Sequence, residues 1–466
     1  QKVLKINKAL FMNAILKIYL LIIFFSFSVN LTSQVTGKLT LDEAVEMALN
    51  ENKLIKISQQ RIMGSEGKLS EMKSNYFPRI VLESVGAYNS DPNLYINKGQ
   101  LNNLYDQLVE DEIIDDWLKE NAPLPPRKIT FLGGNDFAVK SNAAIYQPLT
   151  QLTSINTGRK VAELDVEISK LNYDDVKSQI RLGVKELFYG ILIQDAKVNE
   201  ASQELEYKKA EYQDAVNAYE AGEMLLLDVT SAKAEIFEAE QDLLNEENLK
   251  DQYIYSFNQL IGAQYSYKPD LVLPTLRFEP VGGIQEYYIQ GSEKNYGLKI
   301  ALANLDKSEL GITAAKKAYI PELSYFAQYY YNYGIPLYAS QYLLTGLNFK
   351  WTLIDFGERS SVVKQRNAIY NEALDNLEYK KLTLQGEIQQ AYRNISYAES
   401  LILTALKAYE AREEELVLTI NAVEAGEALS SMMYKAKADI AGAKADKLAA
   451  ELNYQIAVAK LNSLVG

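Results

Sequence analysis

The residue types that do most chemistry at neutral pH are missing from this 466-residue chain, which holds no His and no Cys. Their absence removes Ser-His and Cys-His nucleophilic catalysis, His-ligated zinc, disulfides and the usual acid–base group. Carboxylate-only and Ser-Lys chemistry remain open, but no motif supports either, so no enzyme, cofactor or metal site is expected. What does stand out is a polar turn written twice. Residues 217–223 read Asn-Ala-Tyr-Glu-Ala-Gly-Glu and residues 421–427 read Asn-Ala-Val-Glu-Ala-Gly-Glu, 204 positions later. Gly222 and Gly426 can take the left-handed conformation that ends a helix. Glu223, Asp228 and Glu427 flank them.

The elements that carry these turns are duplicated with them. Aligned without a gap, residues 215–262 and 419–466 are identical at 18 of 48 positions, an internal repeat that outranks any reading of local segments. Before the first turn Ile180, Val184, Leu187, Ile191, Gln194, Val198 and Ala201 step by four and three. Leu384, Ile388, Ala391, Ile395, Ala398, Ile402 and Ala405 do the same before the second. A sustained seven-residue period is a coiled-coil seam. Helix is predicted over 153–221 and 357–425, each on the order of 100 Å long at 1.5 Å per residue. Shorter helices run from the capping box Thr40-Leu41-Asp42-Glu43 to about Tyr76, from about Glu293 to Tyr319, and after each turn. Placed end to end, two of these match one long helix.

Composition supplies an address. Net charge is −13, with no basic stripe, which argues against a nucleic-acid partner. Met12, a lysine, the apolar run Ile18 to Val29 and the polar exit Asn30 to Gln34 form a secretory signal peptide within residues 1–34. Met12 is the expected start, with cleavage near Ser33 or Gln34. The exported chain has no later apolar run of eighteen residues, leaving a soluble protein or a β-barrel.

Strand patterns follow Pro78 and Pro321. Leu323, Tyr325, Ala327, Tyr329, Tyr331 and Tyr333 share one face, opposite Ser324, Gln328 and Asn332. Leu343, Thr345, Leu347, Phe349 and Trp351 oppose Gly346, Asn348 and Lys350, and Phe137, Val139, Ala143 and Ile145 oppose Lys140 and Asn142. Such alternation with terminal aromatics fits a membrane barrel, apolar outside and polar inside. It also fits a half-buried soluble sheet, and residues 79–88 show it poorly. The expected domains are a first repeat over 35–262 with an extended, exposed loop at 89–136, a linker or small mixed layer over 263–292, and a second repeat over 293–466. The fold class is mainly α with a membrane β-barrel: four strands and long antiparallel coiled-coil helices per chain. Four strands cannot close a barrel, so copies must join, and eight strands leave no useful lumen.

The arrangement resembles the outer-membrane efflux protein family, the TolC-like ducts of tripartite export systems, over nearly all of the chain from about Leu39. Tyr219-Glu220-Ala221-Gly222-Glu223 followed by Leu227-Asp228-Val229-Thr230-Ser231-Ala232 looks like that family's turn. The second copy departs from it, with Met432 and Met433 in place of Asp and Val. The resemblance implies a homotrimeric channel, its barrel in the cell outer membrane and its helical tunnel in the periplasm. It also implies docking of a periplasmic adaptor at Gly222, Glu223, Asp228, Gly426 and Glu427, coupled to an inner-membrane pump of RND or ABC type. Glu413, Glu414 and Glu415 then form either an acidic lumen ring or, as is commoner for such runs, a solvated helix face. The rival expectation is an exported coiled-coil structural or adhesive protein with a soluble β head.

Overall fold

The structure, a computed structural model, describes residues 38–113, 117, 128–276, 278, 281–335 and 338–466. The predicted signal region and the prolines 123, 125 and 126 lie outside the described residues. In chain order the first half runs β1 (Lys38–Leu39), α1 (Leu41–Glu51), α2 (Lys53–Ser74), β2 (Arg79–Tyr88), β3 (Leu94–Asn97), α3 (Lys98–Glu110), β4 (Lys128–Leu132), β5 (Phe137–Pro148), α4 (Leu152–Glu220) and α5 (Leu226–Ile261). The second half runs β6 (Asp270–Leu271), α6 (Ile284–Lys294), α7 (Tyr296–Lys317), β7 (Glu322–Tyr333), β8 (Gln341–Lys350), α8 (Glu358–Glu424) and α9 (Ser430–Val465).

The 69-residue α4 and the 67-residue α8 are the full-length rods, each about 100 Å long. Of their predicted seams, Ile180, Val184, Ile191 and Gln194 on α4 and Leu384, Ile388, Ala391, Ile395 and Ala398 on α8 are buried, and Leu187, Val198, Ala201, Ile402 and Ala405 are half-buried. Half-length helices cover them in stacked pairs, as the lengths require. On α4 lie α2 above and α5 below, while α7 and α9 fill the groove between α4 and α8. Two apolar clusters mark the level where upper and lower helices meet, one around Val184, Phe188 and Phe257 and one around Ile388, Ile395 and Leu461.

Two helix boundaries differ from the sequence expectation. Residues 263–292 are not all linker, because α6 begins at Ile284, directly after the Pro280–Gly283 cluster. The helix expected from Thr40 to Tyr76 breaks at Asn52, and its counterpart breaks at Asn295. Each asparagine caps the helix that follows it: Asn52 Oδ1 accepts the Leu54 N–H at 2.8 Å, and Asn295 Oδ1 accepts the Leu298 N–H at 2.9 Å. Each then reaches across the wall, Asn52 Nδ2 donating to Leu260 O and Asn295 Nδ2 to Leu464 O, both at 2.8 Å. The acceptors are themselves repeat equivalents. A local side-chain bond thus outcompetes helix continuation, and no proline or glycine is needed.

The four long strands form one antiparallel sheet in the order β2-β5-β7-β8, with the two halves joined through β5 and β7. Register puts Ile80, Leu82, Ala143, Ile145, Tyr325, Tyr329, Leu343 and Leu347 on one face. Most of these side chains are exposed, as a lipid-facing band requires. Lys140, Asn142, Gln328 and Asn332 take the other face. In the insertion β3 pairs with β4 beside α3, more structure than a surface loop with one short helix.

Candidate functional site

Both repeated turns are built alike. Gly222 has φ +79° and Gly426 has φ +75°, a conformation that a side chain disfavours. Gly222 N–H donates to Tyr219 O and Glu223 N–H to Ala218 O, both at 2.9 Å. In the second turn Gly426 N–H donates to Val423 O at 3.0 Å and Glu427 N–H to Ala422 O at 2.8 Å. These paired bonds satisfy the last carbonyls of α4 and α8. A Cβ on either glycine would meet nothing within 4 Å. The glycines are therefore there for backbone conformation, and the space beside them is open.

The turns differ in how the next helix starts. At α5 the Asp228 carboxylate accepts the Leu225 N–H at 3.2 Å, so Asp228 serves its own helix terminus. The second turn has Met432 in that position, and α9 takes its carboxylate from the other hairpin: Asp214 Oδ2, on α4, accepts the Ser431 N–H at 3.2 Å. Sequence reasoning missed this tie. Its only trace is a helix start with no acidic residue in its first turn. The first turn also bears exposed leucines, Leu225 at 69% and Leu227 at 70% exposure, where short polar cap residues are the rule.

Glu413, Glu414 and Glu415 are exposed on α8, and Arg412 Nη1 donates to Glu415 at 2.5 Å and to Asp439 of α9 at 3.2 Å. The run is thus partly neutralised. A larger acidic group lines a cleft of about 1080 Å³ bounded by α4, α5, α8 and α9, with Glu200, Glu204, Asp242, Glu246, Asp439 and Asp446 facing Lys197 and Arg412. Burial, then the neighbouring Asp446, raises the pKa of Glu200. Burial likewise raises that of Glu204, with Asp439 adding and Lys208 opposing. Among the described residues no cluster of acidic side chains has the geometry of a metal site.

The wall is open along both sides. Among the described residues, sheet strands β2 and β8 each have one neighbour and no second. Beneath them, among the described residues, α8 packs mainly toward α6, α7 and α9, and α5 mainly toward α1 and α4. The free side of α8 presents Tyr379, Leu382, Tyr397, Leu403 and Leu418, and α5 presents Phe237 and Leu244 one heptad apart. Among the described residues no helix is long and apolar enough to cross a membrane.

Such a staves-and-sheet segment defines the class of tubular channels whose barrel continues into a helical tunnel. The family model for outer membrane efflux proteins matches residues 44–263 and 292–466, and the chain belongs to that family. It is an outer-membrane export channel with its helical part in the periplasm, and channels of this family are trimers that work with an adaptor and an inner-membrane pump. The fold is similar to that of the CmeC outer membrane channel of Campylobacter jejuni, with a TM-score of 0.73 and 15% identity over 91% of this chain and 85% of that one. It is also similar to the outer membrane protein VceC of Vibrio cholerae, with a TM-score of 0.68 and 13% identity over 91% and 96%. A third likeness is to the open state of the MtrE outer membrane channel of Neisseria gonorrhoeae, with a TM-score of 0.68 and 13% identity over 91% and 88%. Comparison with curated protein sequences finds no match.

Proposed function

We propose that three copies of this chain close into a twelve-strand barrel above a helical tunnel, and that the tunnel passively conducts substrate delivered by an adaptor and an RND or ABC pump. The observation that carries this is the pair of open edges. An unpaired strand edge in lipid costs several kcal/mol per backbone group, and the apolar residues on the free sides of α5 and α8 need cover. A ring in which β8 and α8 of one copy meet β2 and α5 of the next removes both costs at once.

The adaptor docks at the turns, contacting Gly222, Glu223 and Asp228 on one and Gly426 and Glu427 on the other. Opening is a diaphragm motion, the second hairpin moving off the first when the partner binds. The purified protein should run as a trimer and give stepwise conductance in planar bilayers. A detergent-free monomer without conductance would refute the reading. Gly222→Trp with Gly426→Trp tests the docking surface: trimer and conductance persist, while resistance of the cell to exported toxins is lost. Unchanged resistance would count against contact at the turns.

A further inference from the structure

On the lumen-facing side of the sheet one transverse row departs from a plain polar lining. Register aligns Glu83 of β2 with Asn142 of β5, Tyr330 of β7 and Tyr342 of β8. The two tyrosine rings stack, with centroids 4.7 Å apart and planes 17° apart. Gln328, one row below, locks the arrangement: its Nε2 donates to Tyr146 Oη at 2.6 Å, and its Oε1 accepts from Tyr330 Oη. The polar-inside alternation does not explain half-buried rings on this face, and their fixed geometry does not suit a merely solvated wall.

The charge at the other end of the row, on β2 with β5 between it and the Tyr330 strand, is unspent. Glu83 is exposed and, among the described residues, makes no hydrogen bond or ion pair. Asn142 Oδ1, buried in the same row, accepts no hydrogen bond among the described residues. The nearest cation on that face, Lys140, holds its ammonium 6.0 Å from the Tyr338 ring instead. A free carboxylate two strand spacings, about 10 Å, from an ordered aromatic ring in the same row is the chemistry that recognises an organic cation carrying its own ring, the ring face and the charge acting at its two ends.

We propose that this row is a binding band for aromatic organic cations passing through the barrel, repeated once per copy so that carboxylates and tyrosine pairs alternate around the wall. The inference rests on the closed-barrel reading above. A cation is held by Glu83 while its ring lies against the outer face of Tyr330, which Tyr342 backs on the other side, and the contact is weak enough to release, as conduction requires.

The test uses the full purified protein in planar bilayers with two probes that share a ring and differ in charge, benzyltrimethylammonium and benzenesulfonate. Benzyltrimethylammonium should reduce the current in a concentration-dependent way, and benzenesulfonate at equal concentration should not. Glu83→Gln, and separately Tyr330→Ser with Tyr342→Ser, should each raise the half-blocking concentration about five-fold, the scale of an exposed charge or cation–π contact. Equal block by both probes, or an unchanged half-blocking concentration in Glu83→Gln, would overturn the band. If no channel forms, the barrel reading fails, and equilibrium dialysis of benzyltrimethylammonium against the detergent-solubilised protein decides the site by itself. Weaker uptake by Glu83→Gln upholds it, and equal uptake or none sinks it.

Discussion

The contact between Asp214 and Ser431 should set how readily the tunnel opens. Removing the carboxylate by Asp214→Ala deletes one charge-assisted bond to a helix start, at 3.2 Å and half-buried, worth about 1 kcal/mol. That is roughly a five-fold shift per copy toward the separated hairpins. If the three copies move together the sum is about 3 kcal/mol, on the order of a hundred-fold in the open-to-closed ratio. Single-channel recording of open probability is the assay. Asp214→Asn, which keeps an acceptor oxygen but not the charge, should fall between wild type and Asp214→Ala. An Asp214→Ala channel with wild-type open probability and wild-type thermal unfolding would refute the reasoning, because the contact would then hold nothing.

Asn52→Ala and Asn295→Ala should each cost about 2 kcal/mol, a helix cap plus a cross-wall bond, seen as a lower unfolding temperature of the helical part with the barrel intact. Leu382→Glu with Leu403→Glu should yield monomers by sedimentation, since two leucines meant for cover contribute about 3 kcal/mol per interface. The raised pKa values of Glu200 and Glu204 mean that both destabilise the folded state while ionised. Stability should therefore rise as pH falls through their raised folded pKa values and level off below the ordinary carboxylate range. Glu200→Gln with Glu204→Gln should raise the unfolding temperature at neutral pH and flatten that acid-side rise in calorimetric scans.

Much of the architecture could be read from spacing alone. The heptad stripes and the repeat offset locate α4, α8 and both turns, because periodicity over many residues averages out local exceptions. The helix Ile284–Lys294 escaped notice because Pro274, Pro280, Gly282 and Gly283 dominate its neighbourhood, although residues 41–51 and 284–294 are related by the same offset of 243 that aligns Tyr76 with Tyr319. The breaks at Asn52 and Asn295 escaped for the opposite reason: nothing in the local composition forbids helix there, and the deciding bonds lie 208 and 169 residues away. Strand β2 was faint because Val81 and Val85 put apolar residues on its lumen face. The tie from Asp214 to Ser431 could not be foreseen, since it depends on which hairpin lies beside which.

Those paired asparagines divide the tube into storeys. Each pin fastens the foot of an upper helix to the head of a lower one at matching heights on both halves of the wall, next to Gly262 and Gly466, where a Cβ would come within 2.7 Å and 2.9 Å of neighbouring side chains. Under the diaphragm motion proposed above, that belt would confine flexing to the lower storey and leave the circumference of the part seated in lipid unchanged.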